Sequence, residues 1–291
     1  MLNPKEREKY SLDDWETEFD EIYGRIDQQR SLAEMWLLMM EDASQLAEAI
    51  RREKYSDALR KLSRVFGWTC SFVARCRASD LKDTPFYLEK TLSEIVWQKY
   101  PYRCSLCGQE RCICAVVRGE LEELSPAEKK NREARVADTL AVARQRTELR
   151  PKTLDSFVNM FSQIYKGAHY NLPIEAILLH FLEEVGEVSS CIREIRENDG
   201  KKRNAELTAN LEEEIADIIS WTASGLSKLD YILGAYLQLK AGQQKIVQTA
   251  NLRLSAIVWR EFQDDTEEHL WCTKCRSRQC KCTPYRLYAS P

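Results

Sequence analysis

The chain has 291 residues, of which 44% are hydrophobic and 31% are charged, a composition typical of a globular protein rich in helices. A formal net charge of −3 excludes a bulk electrostatic attraction to nucleic acids or membranes. The longest apolar run, at residues 35–40, is far shorter than the roughly 20 residues that a membrane helix needs, so we expect no membrane partner. The first ten residues contain no signal peptide, and we therefore expect a cytoplasmic protein. In that compartment the 11 cysteines stay reduced, which favours metal ligands over disulfides.

Helix signals follow one another along the chain. Ser11 suits an N-cap, and the pair Ser31 and Glu34 forms a capping box before the next apolar stretch. Pro126, within another capping box, suits the first position of a connecting helix that ends near residue 145. Thr153 suits the N-cap of a further helix. Apolar residues then recur at helical spacing, at Leu154, Phe157, Phe161 and Ile164 and at Ile174, Ile177, Leu178 and Phe181.

The second half of the chain repeats the first. Five blocks of similar sequence recur in the same order, with an offset that only grows along the chain. The matched blocks are 12–23 with 154–165, 37–46 with 179–188, 68–69 with 221–222, 92–97 with 254–259, and 104–114 with 272–282. We therefore predict an all-α tandem protein, with repeats at residues 5–115 and 151–291 joined by a connecting helix within residues 116–150.

The second repeat carries two pairs of acidic residues, each pair three positions apart on one helix face: Glu184 with Glu187, and Glu214 with Asp217. A turn-forming segment at residues 197–204 separates the two helices. In an antiparallel hairpin centred on this turn, the two pairs face each other. Four facing carboxylates repel unless a cation neutralises them, and an all-oxygen set suits Mg²⁺ or Mn²⁺. The alternative is a solvated acidic face on two surface helices.

The segments around these pairs, LEEVGEV at residues 182–188 and EEIADII at residues 213–219, resemble the MazG family of all-α nucleoside triphosphate pyrophosphohydrolases. The resemblance covers about residues 154–228. It implies hydrolysis of a nucleoside triphosphate to the monophosphate and diphosphate. Family members of this type work as dimers of helical hairpins; one tandem chain would supply both hairpins, and a homo-oligomer is compatible with this arrangement. The resemblance implies that the catalytic, Mg²⁺-binding residues are Glu184, Glu187, Glu214 and Asp217.

Weaker candidates for substrate binding flank the acidic pairs. His180 lies one helical turn before Glu184, within reach of phosphate, although packing on the helix face is the favoured alternative. Lys201 and Arg203 lie in the basic turn, where they either contact phosphates or are simply solvated. Trp221 is a candidate for stacking on a base, but Trp68 holds the same place in the first repeat, which favours core packing. Two further acids, Glu183 and Glu213, are spare candidates for a general base.

The first repeat departs from the acidic pattern. At the matching positions it has Asp42, Gln45, Lys61 and Arg64. An ion pair between Asp42 and Arg64 would neutralise charge there without a metal ion. We therefore predict a degenerate, metal-free partner for the second repeat. A role for Lys61 or Arg64 in binding substrate phosphates is the less favoured alternative.

Each repeat ends with the pattern C-x-x-C-x4-C-x-C. Four thiolates at this spacing can close one tetrahedral zinc site, usually a structural one; an iron–sulfur cluster is the less favoured alternative. The predicted zinc ligands are Cys104, Cys107, Cys112 and Cys114 in the first repeat and Cys272, Cys275, Cys280 and Cys282 in the second. His269 is an alternative ligand, and basic residues around the second cluster make nucleic-acid binding a less favoured option. Cys70, Cys76 and Cys191 fall within helical apolar patterns and are predicted core residues.

Two functions from different classes therefore compete. The first is a Mg²⁺-dependent nucleoside triphosphate pyrophosphohydrolase, favoured by the intact carboxylate set of the second repeat. The second is a zinc-stabilised regulatory module that binds a nucleotide or nucleic acid without catalysis, which the degenerate first repeat favours. The sequence does not specify the base or the sugar of the substrate.

Overall fold

The computed structural model describes residues 4–114, 126–166, 171–197, 205–240, 250–264 and 269–283. These residues form helices and loops, with one isolated β-bridge between Gln263 and Leu270 and no strand among them, which confirms the predicted all-α class. None of the described helices is long and apolar enough to cross a membrane.

The first half contains α1 (Leu12–Asp27), α2 (Leu32–Arg51), α3 (Tyr55–Cys76) and α4 (Leu92–Lys99). After α5 (Pro126–Gln145), the second half contains α6 (Leu154–Ile164), α7 (Ile174–Glu197), α8 (Ala205–Lys240) and α9 (Leu254–Phe262), and short 3₁₀ helices lie at Pro4–Lys9, Ser79–Leu81 and Thr147–Leu149.

The predicted N-caps define where three of the helices begin. The Ser31 hydroxyl accepts a hydrogen bond from the Glu34 amide at 3.2 Å, and the Glu34 carboxylate accepts one from the Ser31 amide at 2.7 Å. Ser11 and Thr153 cap α1 and α6 in the same manner. A side-chain cap of this kind stabilises a helix by about 1 kcal/mol, because it satisfies an amide that would otherwise lack a partner. The connecting helix begins at Pro126, as predicted.

Equivalent hydrogen bonds hold equivalent helices in the two halves. The Asp13 carboxylate on α1 accepts hydrogen bonds from the Ser93 amide at 2.9 Å and from its hydroxyl at 2.7 Å. The Asp155 carboxylate on α6 accepts the same pair from Ser255, at 3.1 and 2.6 Å. Each acid therefore fixes the start of the last helix of its own half, and the repeated sequence blocks correspond to repeated contacts.

The two halves exchange their C-terminal segments. Helix α4 of the first half packs on α8 of the second, and α9 of the second half packs on α3 of the first. The cysteine segments follow the same rule: the Cys112 amide donates to the Ile164 carbonyl at 2.6 Å, and the Cys280 amide donates to the Ile22 carbonyl at 2.7 Å. The two predicted domains consequently share one hydrophobic core, built around two facing helical hairpins, α2–α3 and α7–α8.

Gly67 on α3 allows a close aromatic contact within this shared core. A Cβ atom added there would lie 2.9 Å from Phe19 Cε1 and 3.1 Å from Phe262 Cζ. We expect Gly67→Ala to lower the free energy of unfolding by about 1–3 kcal/mol in urea denaturation, because two buried rings would have to move. In the matched control Gly225→Ala, the new Cβ would meet only Leu62 Cδ1, at 3.8 Å. That variant should be as stable as the wild type or more stable by up to about 1 kcal/mol, and equal losses in both variants would contradict the prediction.

Candidate functional site

Three of the predicted acidic residues converge between α7 and α8. Glu184 and Glu187 on α7 and Glu214 on α8 each offer one carboxylate oxygen, and these three oxygens lie within 4.8 Å of one another. The helices present them together because the apolar residues beside them on each helix are buried: Val185, Val188, Ile215 and Ile218. The predicted antiparallel hairpin is thus present, and this carboxylate cluster of Glu184, Glu187 and Glu214 could hold a metal ion.

Asp217, the fourth predicted ligand, lies beside the carboxylate cluster but has other partners. Lys99 Nζ donates to its Oδ2 atom at 2.8 Å, and the Tyr100 hydroxyl donates to its Oδ1 atom. Both donors come from the end of α4 in the first half, and Lys99 also donates to the Glu213 carbonyl at 3.2 Å. Burial lowers the pKa of Lys99, but the nearby carboxylates of Asp217, Glu213 and Glu214 together outweigh it, so the pKa is raised above its usual value and the side chain stays cationic.

Lys99 and Tyr100 were not predicted from the sequence. A signal for them nevertheless exists in the repeat, because these two residues match Glu261 and Phe262 in the second half. Glu261 forms an ion pair at 3.7 Å with Arg64, the first-half residue that matches Asp217. The same cross-half contact therefore occurs twice with its charges inverted, and comparing charges between matched positions could have identified it.

Two carboxyl groups of the carboxylate cluster have raised pKa values, which disfavour the fully ionised state. Burial, followed by repulsion from Asp217, raises the pKa of Glu184 to about 7. Burial also raises the pKa of Glu214 to about 8, with the neighbouring Glu187 carboxyl adding to the rise. The Glu214 Oε2 atom is buried and has no hydrogen-bond partner among the described residues. A proton or a cation at this position would remove the repulsion and satisfy that oxygen.

The weaker substrate-binding candidates have different outcomes. His180 stacks on the Trp221 ring, with ring centroids 4.8 Å apart and an interplanar angle of 15°, and its Nδ1 atom lies 3.1 Å from a Glu183 oxygen. Trp221 Nε1 donates to the Glu184 Oε1 atom at 3.0 Å, so this ring orients one carboxylate of the cluster. Lys201 and Arg203 lie outside the described residues. A contact of any of these four with a substrate stays a prediction.

The matching position in the first half is filled by protein cations. Lys61 Nζ lies 3.0 Å from the Asp42 carboxylate and also donates to Gln45, while Arg64 Nη1 lies 3.4 Å from Asp42. This confirms the predicted ion pair between Asp42 and Arg64. Trp68 Nε1 donates to Asp42 at 3.0 Å, as Trp221 does to Glu184. The first hairpin therefore keeps the geometry of the second and neutralises its charges internally.

The two cysteine clusters could each hold a zinc ion. In both clusters the four sulfur atoms lie within 4.8 Å of one another, and Cys104 Sγ is 3.5 Å from Cys112 Sγ and 3.8 Å from Cys114 Sγ. Tetrahedral coordination with Zn–S bonds of about 2.3 Å separates sulfurs by roughly 3.8 Å, in agreement with these distances. His269 does not belong to the second group of ligand atoms found among the described residues. The other three cysteines are buried in the core, as predicted: Cys70, Cys76 and Cys191.

Comparisons with known proteins return no match: no protein-family model, no curated protein and no solved structure matches this chain.

Proposed function

We propose that the protein is a tandem MazG-like, Mg²⁺-dependent nucleoside triphosphate pyrophosphohydrolase with its active site in the second half. The observation that carries the proposal is the meeting of Glu184, Glu187 and Glu214 in one carboxylate cluster, with a buried, unpartnered oxygen on Glu214. A ligand set made only of oxygen atoms, one of which has no hydrogen-bond partner, suits a hard divalent cation better than zinc. The sequence similarity around the two acidic pairs supports phosphate-anhydride hydrolysis as the chemistry.

In this proposal, the carboxylate cluster holds Mg²⁺, which would neutralise the charge of substrate phosphates and activate the attacking water. Trp221 holds the Glu184 carboxylate in place through its 3.0 Å hydrogen bond. Lys99 and Tyr100 hold Asp217 beside the cluster, where Asp217 can either join the ligand set or accept a proton from water. The Lys99 ammonium group also places a positive charge next to the position of the substrate phosphates, which stabilises the charge that develops during phosphoryl transfer.

The direct test measures diphosphate release from a panel of common and modified nucleoside triphosphates. The zinc-loaded protein should release diphosphate only when Mg²⁺ or Mn²⁺ is added, and the preferred substrate in the panel identifies the base. The alternative function, a zinc-stabilised module that binds a nucleotide or nucleic acid without hydrolysis, is favoured by the metal-free ion pairs of the first half. Binding of a nucleotide without release of diphosphate would favour that alternative.

The raised carboxylate pKa values predict a pH-dependent stability. The ordinary pKa of Glu is 4.5, and the values in the folded protein are about 7 for Glu184 and about 8 for Glu214. Between the pKa of 4.5 in the unfolded chain and these higher values in the folded protein, the folded state binds more protons than the unfolded state. The free energy of unfolding that these two groups contribute therefore decreases as the pH rises towards 8. Without added Mg²⁺, we expect the melting temperature of the wild type to fall between pH 5 and about pH 8 relative to that of a Glu184→Gln, Glu214→Gln double variant.

Mg²⁺ should reverse this loss. A cation replaces the protons in the cluster, so it should raise the melting temperature more at pH 8 than at pH 6, where it competes with bound protons. The double variant should show neither response. Parallel pH profiles for the two proteins would contradict the raised pKa values.

A further inference from the structure

The first cysteine cluster is connected by hydrogen bonds to the carboxylate site through Tyr100, the residue that directly follows α4. The Tyr100 side chain is buried, and its hydroxyl donates to the Asp217 Oδ1 atom on α8. The same hydroxyl accepts a hydrogen bond from Ser105 Oγ at 3.4 Å. Ser105 lies between two of the predicted zinc ligands, Cys104 and Cys107. Two consecutive hydrogen bonds therefore lead from the cysteine loop of the first half to an acid of the proposed active site.

The Tyr100 ring is held between this loop and α6. Phe161 contacts the ring edge-on with centroids 5.1 Å apart, and Tyr165 does so at 6.4 Å. The Cys112 amide donates to the carbonyl of Ile164 at 2.6 Å, and Ile164 precedes Tyr165 in the chain. A displacement of the cysteine loop therefore changes both the partner of the Tyr100 hydroxyl and the packing around its ring.

The second half lacks this connection and offers a comparison within the same molecule. In the repeat, Phe262 matches Tyr100 and Phe19 matches Phe161. The rings of Phe262 and Phe19 make the same edge-on contact, with centroids 4.9 Å apart. Phenylalanine has no hydroxyl, so the second cysteine cluster cannot reach a carboxylate through this position. The two clusters share their cysteine spacing but differ in what they contact.

We propose that zinc bound in the first cysteine cluster regulates metal binding at the carboxylate cluster, by holding Tyr100 so that its hydroxyl fixes Asp217 there. The four sulfur atoms of the first cysteine cluster lie within 4.8 Å of one another, and four thiolates at such separations repel unless a cation neutralises them. Loss of zinc should therefore open the loop and release Tyr100. The second cysteine cluster has a structural role only.

The expected size of the effect follows from the place of Tyr100 beside a metal-binding carboxylate. Loss of a residue that holds such a carboxylate costs about 10–100-fold in metal affinity or activity. This inference rests on the proposed function, because it requires a divalent cation at the carboxylate cluster. It goes beyond that function in giving the two cysteine clusters different roles.

The test measures the Mn²⁺ affinity by electron paramagnetic resonance, in protein whose zinc content is determined by elemental analysis. Carboxylates suit Mn²⁺ and thiolates suit zinc, so the probe reports on the carboxylate cluster. Cys112→Ser should lose one zinc ion and weaken Mn²⁺ binding at least about tenfold. Cys280→Ser, the matching change in the second cluster, should also lose one zinc ion but weaken Mn²⁺ binding far less.

Tyr100→Phe tests the connection without changing a zinc ligand. It should fold and keep both zinc ions, because it removes only a hydroxyl and Phe262 already makes the equivalent ring contact in the second half. It should weaken Mn²⁺ binding at least about tenfold. Adding Cys112→Ser to Tyr100→Phe should weaken binding little further, because both changes remove the same restraint on Asp217.

Tyr102→Phe controls for the loss of a tyrosine hydroxyl from the same segment. The Tyr102 ring packs edge-on against Trp97, with centroids 6.1 Å apart, and its removal from the hydrogen-bonding set should leave the Mn²⁺ affinity unchanged. Melting curves identify any variant that does not fold, and Tyr100→Phe decides the question if Cys112→Ser does not.

The proposal is overturned by any of three results. They are wild-type Mn²⁺ affinity in Cys112→Ser that has lost its zinc, equal weakening in folded Cys112→Ser and Cys280→Ser, or an unchanged or tighter affinity in Tyr100→Phe. Failure of the proposed function is distinguishable, since the zinc-loaded wild type would then bind no Mn²⁺, or bind it as tightly as Glu187→Gln does. Tight Mn²⁺ binding that depends on Glu187 but not on Tyr100 would overturn the regulation alone.

Discussion

Glu187→Gln should reduce Mg²⁺-dependent diphosphate release by about a hundredfold or more while leaving the helical content of the protein unchanged. The substitution keeps the size of the side chain and removes one charge from a group of three oxygens that lie within 4.8 Å of one another. Loss of a residue that merely supports a metal ligand costs about 10–100-fold, and loss of a ligand itself should cost at least as much. Steady-state rates at saturating nucleotide measure the effect.

The matched control for this variant is Glu175→Gln. Glu175 is an exposed acid in the first turn of the same helix α7, distant from the carboxylate cluster. Its replacement changes the charge of the helix by the same amount and should leave the rate unchanged. If folded Glu187→Gln protein hydrolyses the nucleotide at the wild-type rate, the carboxylate cluster does not hold the catalytic metal ion. If both variants lose activity, the effect is one of overall charge.

Cys280→Ser should lower the zinc content from two ions per chain to one and lower the free energy of unfolding by about 3 kcal/mol or more. A structural zinc ion contributes roughly 10–16 kcal/mol in zinc-finger peptides, so even partial loss of its coordination is large. Loss of zinc should also weaken contacts with the first half of the protein. The cluster segment is held there because the Cys280 amide donates to the Ile22 carbonyl and Arg278 pairs with Glu18 and Glu21 on α1. Elemental analysis and thermal unfolding measure the two effects.

Cys191→Ala provides the comparison, since Cys191 is a buried cysteine of α7 outside both clusters. It should keep two zinc ions per chain and lose much less stability. Two zinc ions retained by Cys280→Ser would show that this thiolate is not a ligand. An unchanged free energy of unfolding after measured zinc loss would show that the cluster does not hold the halves together.

The helices of this protein could be predicted from local sequence. Ser11, Ser31 and Thr153 cap the helices that follow them, and the apolar residues predicted along α6 are buried in the structure. These features depend on residues three or four positions apart, and helical periodicity fixes such relations without long-range contacts. For the same reason the hairpin of α7 and α8, and the meeting of Glu187 with Glu214, follow from the spacing of two acidic pairs about a turn.

The exchange between the halves was decided by the tertiary structure alone. Lys99 and Tyr100 reach Asp217, and Glu261 reaches Arg64, in each case across more than a hundred residues. Nothing in the local sequence distinguishes a helix that packs on its own hairpin from one that packs on the other, because both arrangements bury the same apolar face.

Sequence by itself therefore determined the helices, their repetition, the four acids and the eight clustered cysteines, since each depends on residue type and short spacing. The tertiary structure decided how those groups are used. It gave Asp217 two hydrogen-bond donors from the other half and stacked His180 on Trp221. The physical reason is that a buried polar group forms hydrogen bonds with whichever partner the packing places next to it. In this protein those partners come from segments that are distant in the chain.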